Sequence, residues 1–185
     1  MSETVHVLAF CGSLRKGSYN AAALRAAEAL APTGMHLEIA EIRDVPPYDA
    51  DEQAEGFPES VQRLERQIRK ADALLFATPE YNYSVPGVLK NAIDWISRVK
   101  NQPFAGKPAG ILGASGGPVG TARAQYHLRQ IGVFLDLRFM NKPEVMIGSA
   151  QDRFDADGTL TDVRTREFLE KFMLALRDWT LAQRR

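Results

Sequence analysis

Short, almost wholly apolar runs alternate along this chain with stretches in which apolar residues recur every three or four positions. Val5 to Cys11 is such a run, ended by Gly12. Ala73 to Thr78 (ALLFAT) and Pro108 to Ser115 repeat it, and Leu37, Ile39 and Ile42 mark another strand. Continuous apolar runs of this length suit strands covered on both faces, as in a parallel sheet. A fifth strand is expected within Phe134 to Ile147, interrupted around Asn141 to Pro143. The helical spacing predicts helices over Asn20–Ala31, through Val61, Leu64 and Ile68 to about Ala71, through Leu89, Ile93 and Ile96, and over Thr121–Ile131. A last helix carries Phe168, Phe172, Leu176 and Trp179 on one face. Alternation of this kind predicts a doubly wound α/β fold: a five-stranded parallel sheet with helices on both faces. The 185 residues fit one domain spanning 1–185. Ligands in such folds bind beyond the carboxyl ends of the strands, near the point where the strand order reverses. The segments after strands one, three and four are therefore where chemistry is expected.

Composition narrows the function. Lys plus Arg and Asp plus Glu both number 23, so the formal charge is zero. That argues against a general nucleic-acid binder, which needs a basic footprint, and leaves association between subunits permitted. The single cysteine, Cys11, makes neither a disulfide framework nor a structural zinc site. The opening MSETVHVLAF has no basic stretch and reads as a strand rather than a signal peptide. No apolar run approaches the roughly 20 residues of a membrane span. A soluble, cytoplasmic protein is expected.

The loop after strand one is Gly12-Ser13-Leu14-Arg15-Lys16-Gly17-Ser18-Tyr19-Asn20, and it opens a helix. Unpaired amides at a helix start carry partial positive charge and suit a phosphate. Ser13, Ser18 and Asn20 add short hydrogen-bonding groups, and Arg15 adds a permanent donor fork. A Walker loop is excluded, because Gly17 is followed by Ser18 and Tyr19. The G-x-G-x-x-G fingerprint is excluded too, because Leu14 stands at its second glycine. An ordinary strand-to-helix turn with a serine cap stays open beside the anion site.

The loop after strand three is Thr78-Pro79-Glu80-Tyr81-Asn82-Tyr83-Ser84-Val85-Pro86-Gly87. Its prolines restrict the backbone, and its exposed amides and carbonyls suit the edge of a planar heterocycle. Each tyrosine reads equally as a half-buried packing residue, and Glu80 as a solvated charge.

Together these loops carry a signature. Gly-Ser-Leu-Arg-Lys-Gly-Ser-x-Asn, followed by Pro-Glu-Tyr-Asn-x-Ser-x-Pro-Gly-x-Leu-Lys-Asn-x-Ile-Asp-Trp over Pro79 to Trp95, resembles the NAD(P)H-dependent FMN reductase family. Within it the chain looks most like the bacterial quinone reductases also described as chromate reductases. Gln125 to Gln130 and Asn141 to Glu144 extend the likeness, which spans about Val5 to Ile147. The resemblance implies a flavodoxin-like fold. It places Ser13, Arg15, Ser18, Tyr19 and Asn20 around the phosphate of FMN. It places Pro79, Glu80, Tyr81, Asn82 and Tyr83 along the isoalloxazine ring, with Ser115, Gly116 and Gly117 approaching from the other side. It also implies homodimers or homotetramers.

No nucleophile–base set or metal cluster stands out, and none is needed where a cofactor carries the chemistry. The expected cycle is ping-pong: NADPH or NADH reduces FMN, then a quinone, chromate, an azo compound or free flavin takes the electrons. Tyr83 and Ser84 are candidates to face that substrate. Arg123 reads as a contact to a nicotinamide phosphate or to a neighbouring subunit, or as a solvated arginine. His127 reads as a surface histidine and Cys11 as packed. Phe154-Asp155-Ala156-Asp157-Gly158-Thr159-Leu160 imitates a phosphatase motif, but its lead-in Ser149 to Arg153 is polar. It reads as a tight turn at Asp157-Gly158, with Asp162 capping the last helix. The competing readings are a flavodoxin-type electron carrier and a flavin-free module.

Overall fold

A computed structural model describes residues 4–183; the first three residues of the opening MSETVHVLAF lie outside the described part. Its strands are β1 (Val5–Cys11), β2 (Met35–Ala40), β3 (Ala73–Ala77), β4 (Pro108–Ala114), β5 (Arg138–Phe139) and β6 (Val145–Ile147). Its α-helices are α1 (Tyr19–Ala29), α2 (Ala50–Glu55), α3 (Glu59–Lys70), α4 (Gly87–Ile96), α5 (Ala122–Phe134) and α6 (Val163–Gln183). All strand pairs are parallel, in the order β2-β1-β3-β4-β5, with β6 also on β4. This is the flavodoxin-like order. The reversal between β1 and β3 opens a crevice at their carboxyl ends.

The apolar runs fill both faces. Val5, Val7 and Ala9 of β1 join one core cluster with α1 and α6. Leu8 and Phe10 join a second cluster with α3 and α4. Val61, Leu64 and Ile68 of α3 are fully buried, each contributing about 1.5–3 kcal/mol by leaving water. Trp95 is buried, and its indole Nε1 donates to the Pro46 carbonyl at 2.9 Å. Asn91 donates to the same carbonyl and accepts from the Tyr48 amide at 2.7 Å. The Lys-Asn-x-Ile-Asp-Trp half of the signature is thus a structural anchor for the 46–48 loop.

The structure corrects several sequence expectations. The fifth strand is two strands. Ala109 pairs with Phe139, but Leu112 pairs with Val145, so three extra residues loop out between β5 and β6. Pro143, without an amide hydrogen, stands in that break. Ile42 lies beyond β2, although it is buried. The helix α2 was not expected from sequence; it buries no residue and so shows no apolar stripe. On α6 the buried stripe is Leu169, Phe172, Met173, Leu176 and Thr180, while Phe168 is 42% exposed. At 3.6 residues per turn, Phe168 falls to the edge of that stripe.

Gly113 lies in β4, where a Cβ would overlap the Thr121 hydroxyl and the Thr78 carbonyl. Gly113→Ala is expected to cost about 1–3 kcal/mol in urea unfolding. Gly87→Ala, where a Cβ meets open space, is expected to stay within about 0.5 kcal/mol.

Candidate functional site

The loops after β1, β3 and β4 meet around a cleft of about 230 Å³ lined by Ser13, Arg15, Ser18, Tyr19, Asn20, Pro79, Glu80, Tyr81, Ala114, Ser115 and Gly116. The fold thus gathers every expected cofactor residue except Asn82, Tyr83 and Gly117. Asn82 and Tyr83 form the tip of the turn outside the cleft. The Gly117 carbonyl accepts from the amides of Gly120 and Ser149.

Ser18 caps α1, its hydroxyl accepting from the Ala21 amide at 3.2 Å. The amides of Tyr19 and Asn20 at the helix start have no backbone acceptor, the condition that suits an anion. Arg15 is exposed, without an ion pair among the described residues, and its guanidinium lies 5.7 Å from the Tyr19 ring centre. Asn20 has a role that its residue type alone did not reveal. Its side chain is buried and spans to β4, donating to the Ala114 carbonyl at 2.9 Å and accepting from the Ala114 amide at 3.0 Å. Cys11 donates to the Ser13 carbonyl at 3.4 Å, and burial pushes its thiol pKa up, consistent with packing rather than reactivity.

On the β3 side, Tyr81 and Ser84 exchange backbone hydrogen bonds of 3.0 Å across a two-residue turn. Asn82 and Tyr83 both have positive φ, 49° and 68°. An aromatic residue rarely adopts that conformation, and such strain persists only where surroundings enforce it. Here α5 does so. The Glu80 carboxylate accepts from the amides of Arg123 and Ala124 at 2.9 and 3.2 Å, and pairs with the Arg123 guanidinium. That guanidinium lies 3.9 Å from the Tyr83 ring centre. Ser84 Oγ and His127 Nδ1 are 3.0 Å apart. Glu80 is therefore neither a solvated charge nor free, and Arg123 is not a solvated arginine. Sequence showed both residues but not their meeting, 43 positions apart.

Burial pushes the Glu80 carboxyl up, but the Ala124 amide, the Arg123 guanidinium and the Arg123 amide outweigh it and hold the pKa below its usual value. The third wall is stitched to the chain beyond β6. Ser115 and Ala150 are bonded backbone to backbone, and the Gln151 carboxamide oxygen lies 3.3 Å from where a Cβ on Gly116 would be. Gln151 had no sequence signal. Among the described residues no group of three or more His, Cys, Asp or Glu is placed to hold a metal.

A profile of the NADPH-dependent FMN reductase family matches residues 5–152, which include all three loops. The chain belongs to that family. It is 61% identical over 179 residues to an NAD(P)H-dependent FMN reductase of Pseudomonas aeruginosa, covering 97% of each chain. It is 52% identical over 172 residues to a quinone reductase of Escherichia coli K12, covering 91% of this chain and 92% of that one. The solved structure of FerB, a flavoenzyme NAD(P)H:(acceptor) oxidoreductase from Paracoccus denitrificans, superposes with a TM-score of 0.89 at 39% identity, covering 97% of this chain and 99% of that one.

Because its pKa is lowered on folding, Glu80 contributes stability above the usual glutamate range. That contribution is lost as pH falls through the lowered value. The difference in melting temperature between wild type and Glu80→Gln is expected to be constant near neutrality and to shrink only below about pH 4. A difference that disappears already at pH 6 would mean that the carboxylate charge is not what holds the clamp.

Proposed function

We propose that this family member is a single-domain, FMN-dependent NAD(P)H oxidoreductase that reduces quinones or similar small acceptors. The carrying observation is the cleft itself. A helix start whose first amides have no backbone acceptor, and an arginine without an ion pair among the described residues, form one end, suited to a dianionic phosphate. At the other end the backbone of a proline-restrained turn faces a glycine loop. The acidic side chain lining the cleft, Glu80, is neutralised by Arg123 and α5, so it does not repel an anion. Glycine at 116 lets the backbone come close to a flat ring.

When bound, FMN supplies the ring that accepts hydride from NADPH or NADH and delivers two electrons to the acceptor. The chain's residues do the rest. Ser13, Arg15, Ser18, Tyr19 and Asn20 bind the phosphate end, with Asn20 holding the cleft's width. Pro79, Glu80 and Tyr81 border one edge of the ring with the turn tip Asn82–Tyr83 at the mouth, and Ser115 and Gly116 border the other with Gly117 behind them. Tyr83 and Tyr81, 65% and 51% exposed, offer flat surfaces beside the mouth for a nicotinamide or quinone. One site used in turn by donor and acceptor gives ping-pong kinetics. The reductase names of the relatives support an enzyme over a flavodoxin-type electron carrier.

We also propose a cytoplasmic homodimer or homotetramer. Val133 and Phe134 at the end of α5 are 82% and 83% exposed, and Tyr126 on the same helix is 53% exposed. Such exposed apolar groups support self-association. No described helix is long and apolar enough to cross a membrane. Chromate and azo compounds are further acceptors that an open flavin face accommodates.

The test is spectroscopic. Bound flavin is expected to bleach when NADPH or NADH is added anaerobically and to regain colour when a quinone follows. Arg15→Ala is expected to weaken FMN binding about 10- to 100-fold, the worth of a charge-assisted hydrogen bond. Bound flavin that nicotinamide fails to reduce would return the reading to an electron carrier.

A further inference from the structure

The stretch between β6 and α6 contains the FDADGTL run, which the cleft leaves without a function. It folds as a small hairpin in which Phe154 and Leu160 form an antiparallel bridge. Asp155 Oδ1 accepts from the amides of Asp157 and Thr159 at 3.0 and 2.8 Å, and Gly158 takes a φ of 79°. The apparent phosphatase aspartate is thus spent on its own turn. Phe154 and Leu160 are buried in the core cluster shared by α1 and α6.

This hairpin reaches the phosphate loop. The Phe154 ring centre lies 5.8 Å from that of Tyr19, with the rings tilted 31°. Tyr19 in turn carries the Arg15 guanidinium at 5.7 Å. The three side chains form a row of contacts running from the core to the loop's charged tip. A second contact lies beside it. A Cβ on Gly158 would sit 2.7 Å from Arg25 Nη2 and 3.6 Å from the Ala22 Cβ, so the hairpin lies directly against α1. Arg15, Tyr19 and Arg25 share with Asp155–Gly158 the lining of a cavity of about 330 Å³ on the outer side of the loop.

We infer that Phe154 is a positioning residue for the phosphate of FMN: it fixes the Tyr19 ring and, through that ring, the Arg15 guanidinium. The inference rests on the proposed FMN site and assigns a role beyond residue 152, where the family match ends. A free arginine side chain samples many rotamers and loses that freedom when its fork binds. An aromatic surface held from the core limits the directions its fork takes before the phosphate arrives. The row of contacts ends at the loop after β1, which the proposed site gives to the phosphate, so its loss affects the phosphate-dependent part of flavin affinity. Riboflavin has the same ring and ribityl chain without the phosphate and serves as the internal control.

The experiment titrates the full-length chain, freed of flavin, with FMN and with riboflavin, reading the quenching of flavin fluorescence. Phe154→Leu keeps an apolar side chain and removes the ring; Phe154→Tyr keeps the ring. Phe154→Leu is expected to raise the Kd for FMN about three- to tenfold, the worth of one cation–π contact. The Kd for riboflavin should stay within about twofold. Phe154→Tyr is expected to retain the wild-type preference for FMN. If Phe154→Leu does not fold, Tyr19→Leu cuts the same row of contacts at a half-buried position and is expected to show the same selective loss. Undiminished preference for FMN in the leucine variant, or equal weakening of both flavins, overturns the positioning role. Wild-type protein that binds FMN no better than riboflavin overturns the phosphate site beneath it. Wild-type protein that binds neither overturns the proposed function as well.

Discussion

The cleft depends on one buried polar bridge. Asn20, at the start of α1, meets both backbone groups of Ala114 at the end of β4. In the sheet β3 lies between β1 and β4, so the bridge ties the loop after β1 to the loop after β4 across the intervening strand. A buried amide left unpaired costs about 1–3 kcal/mol, so the pairing is strongly enforced. It sets how far the first loop stands from the glycine loop. The same asparagine that looks like a phosphate ligand in sequence acts first as the spacer between two walls.

Charge is arranged around that spacer in two opposite ways. In the first loop, Arg15 forms no ion pair among the described residues. At the ring end, Glu80 is fully answered by Arg123 and by the first amides of α5. Two helix starts thus differ: the first amides of α1 have no backbone acceptor among the described residues, and α5 spends its amides on the protein's own carboxylate. The second arrangement also supports the left-handed backbone at Tyr83, because the guanidinium that binds Glu80 lies over the Tyr83 ring. The strained turn at the mouth is held by a salt bridge from the neighbouring helix rather than by its own sequence.

The chemistry needs little more from the chain than this. A cofactor that carries hydride asks the protein for position, exclusion of competing charge and a flat open face. The residues gathered at the cleft offer a restrained turn, a glycine loop and a carboxylate already paired with Arg123. The 148–160 segment completes the enclosure from behind: Ala150 and Gln151 lie against the glycine loop, and Phe154 lies against Tyr19.

Sequence alone determined the sheet, most of the helices and the three loops, because burial periodicity is a local property. A strand covered on both faces must be apolar throughout, and a helix on a sheet must show a stripe. Where that rule is silent, so was the sequence: α2 buries nothing, and Phe168 sits one position off the inward stripe of α6. The loop residue types also pointed to a phosphate at one end and a flat ring at the other, since glycine, proline and arginine have distinctive backbone and charge properties. Tertiary structure decided which of those residues pair with each other. Asn20 with Ala114, Glu80 with Arg123 and Tyr19 with Phe154 are pairs separated by dozens of positions, and no periodicity connects them. The split of the last strand into β5 and β6 was settled in the same way, by the register each piece finds on β4.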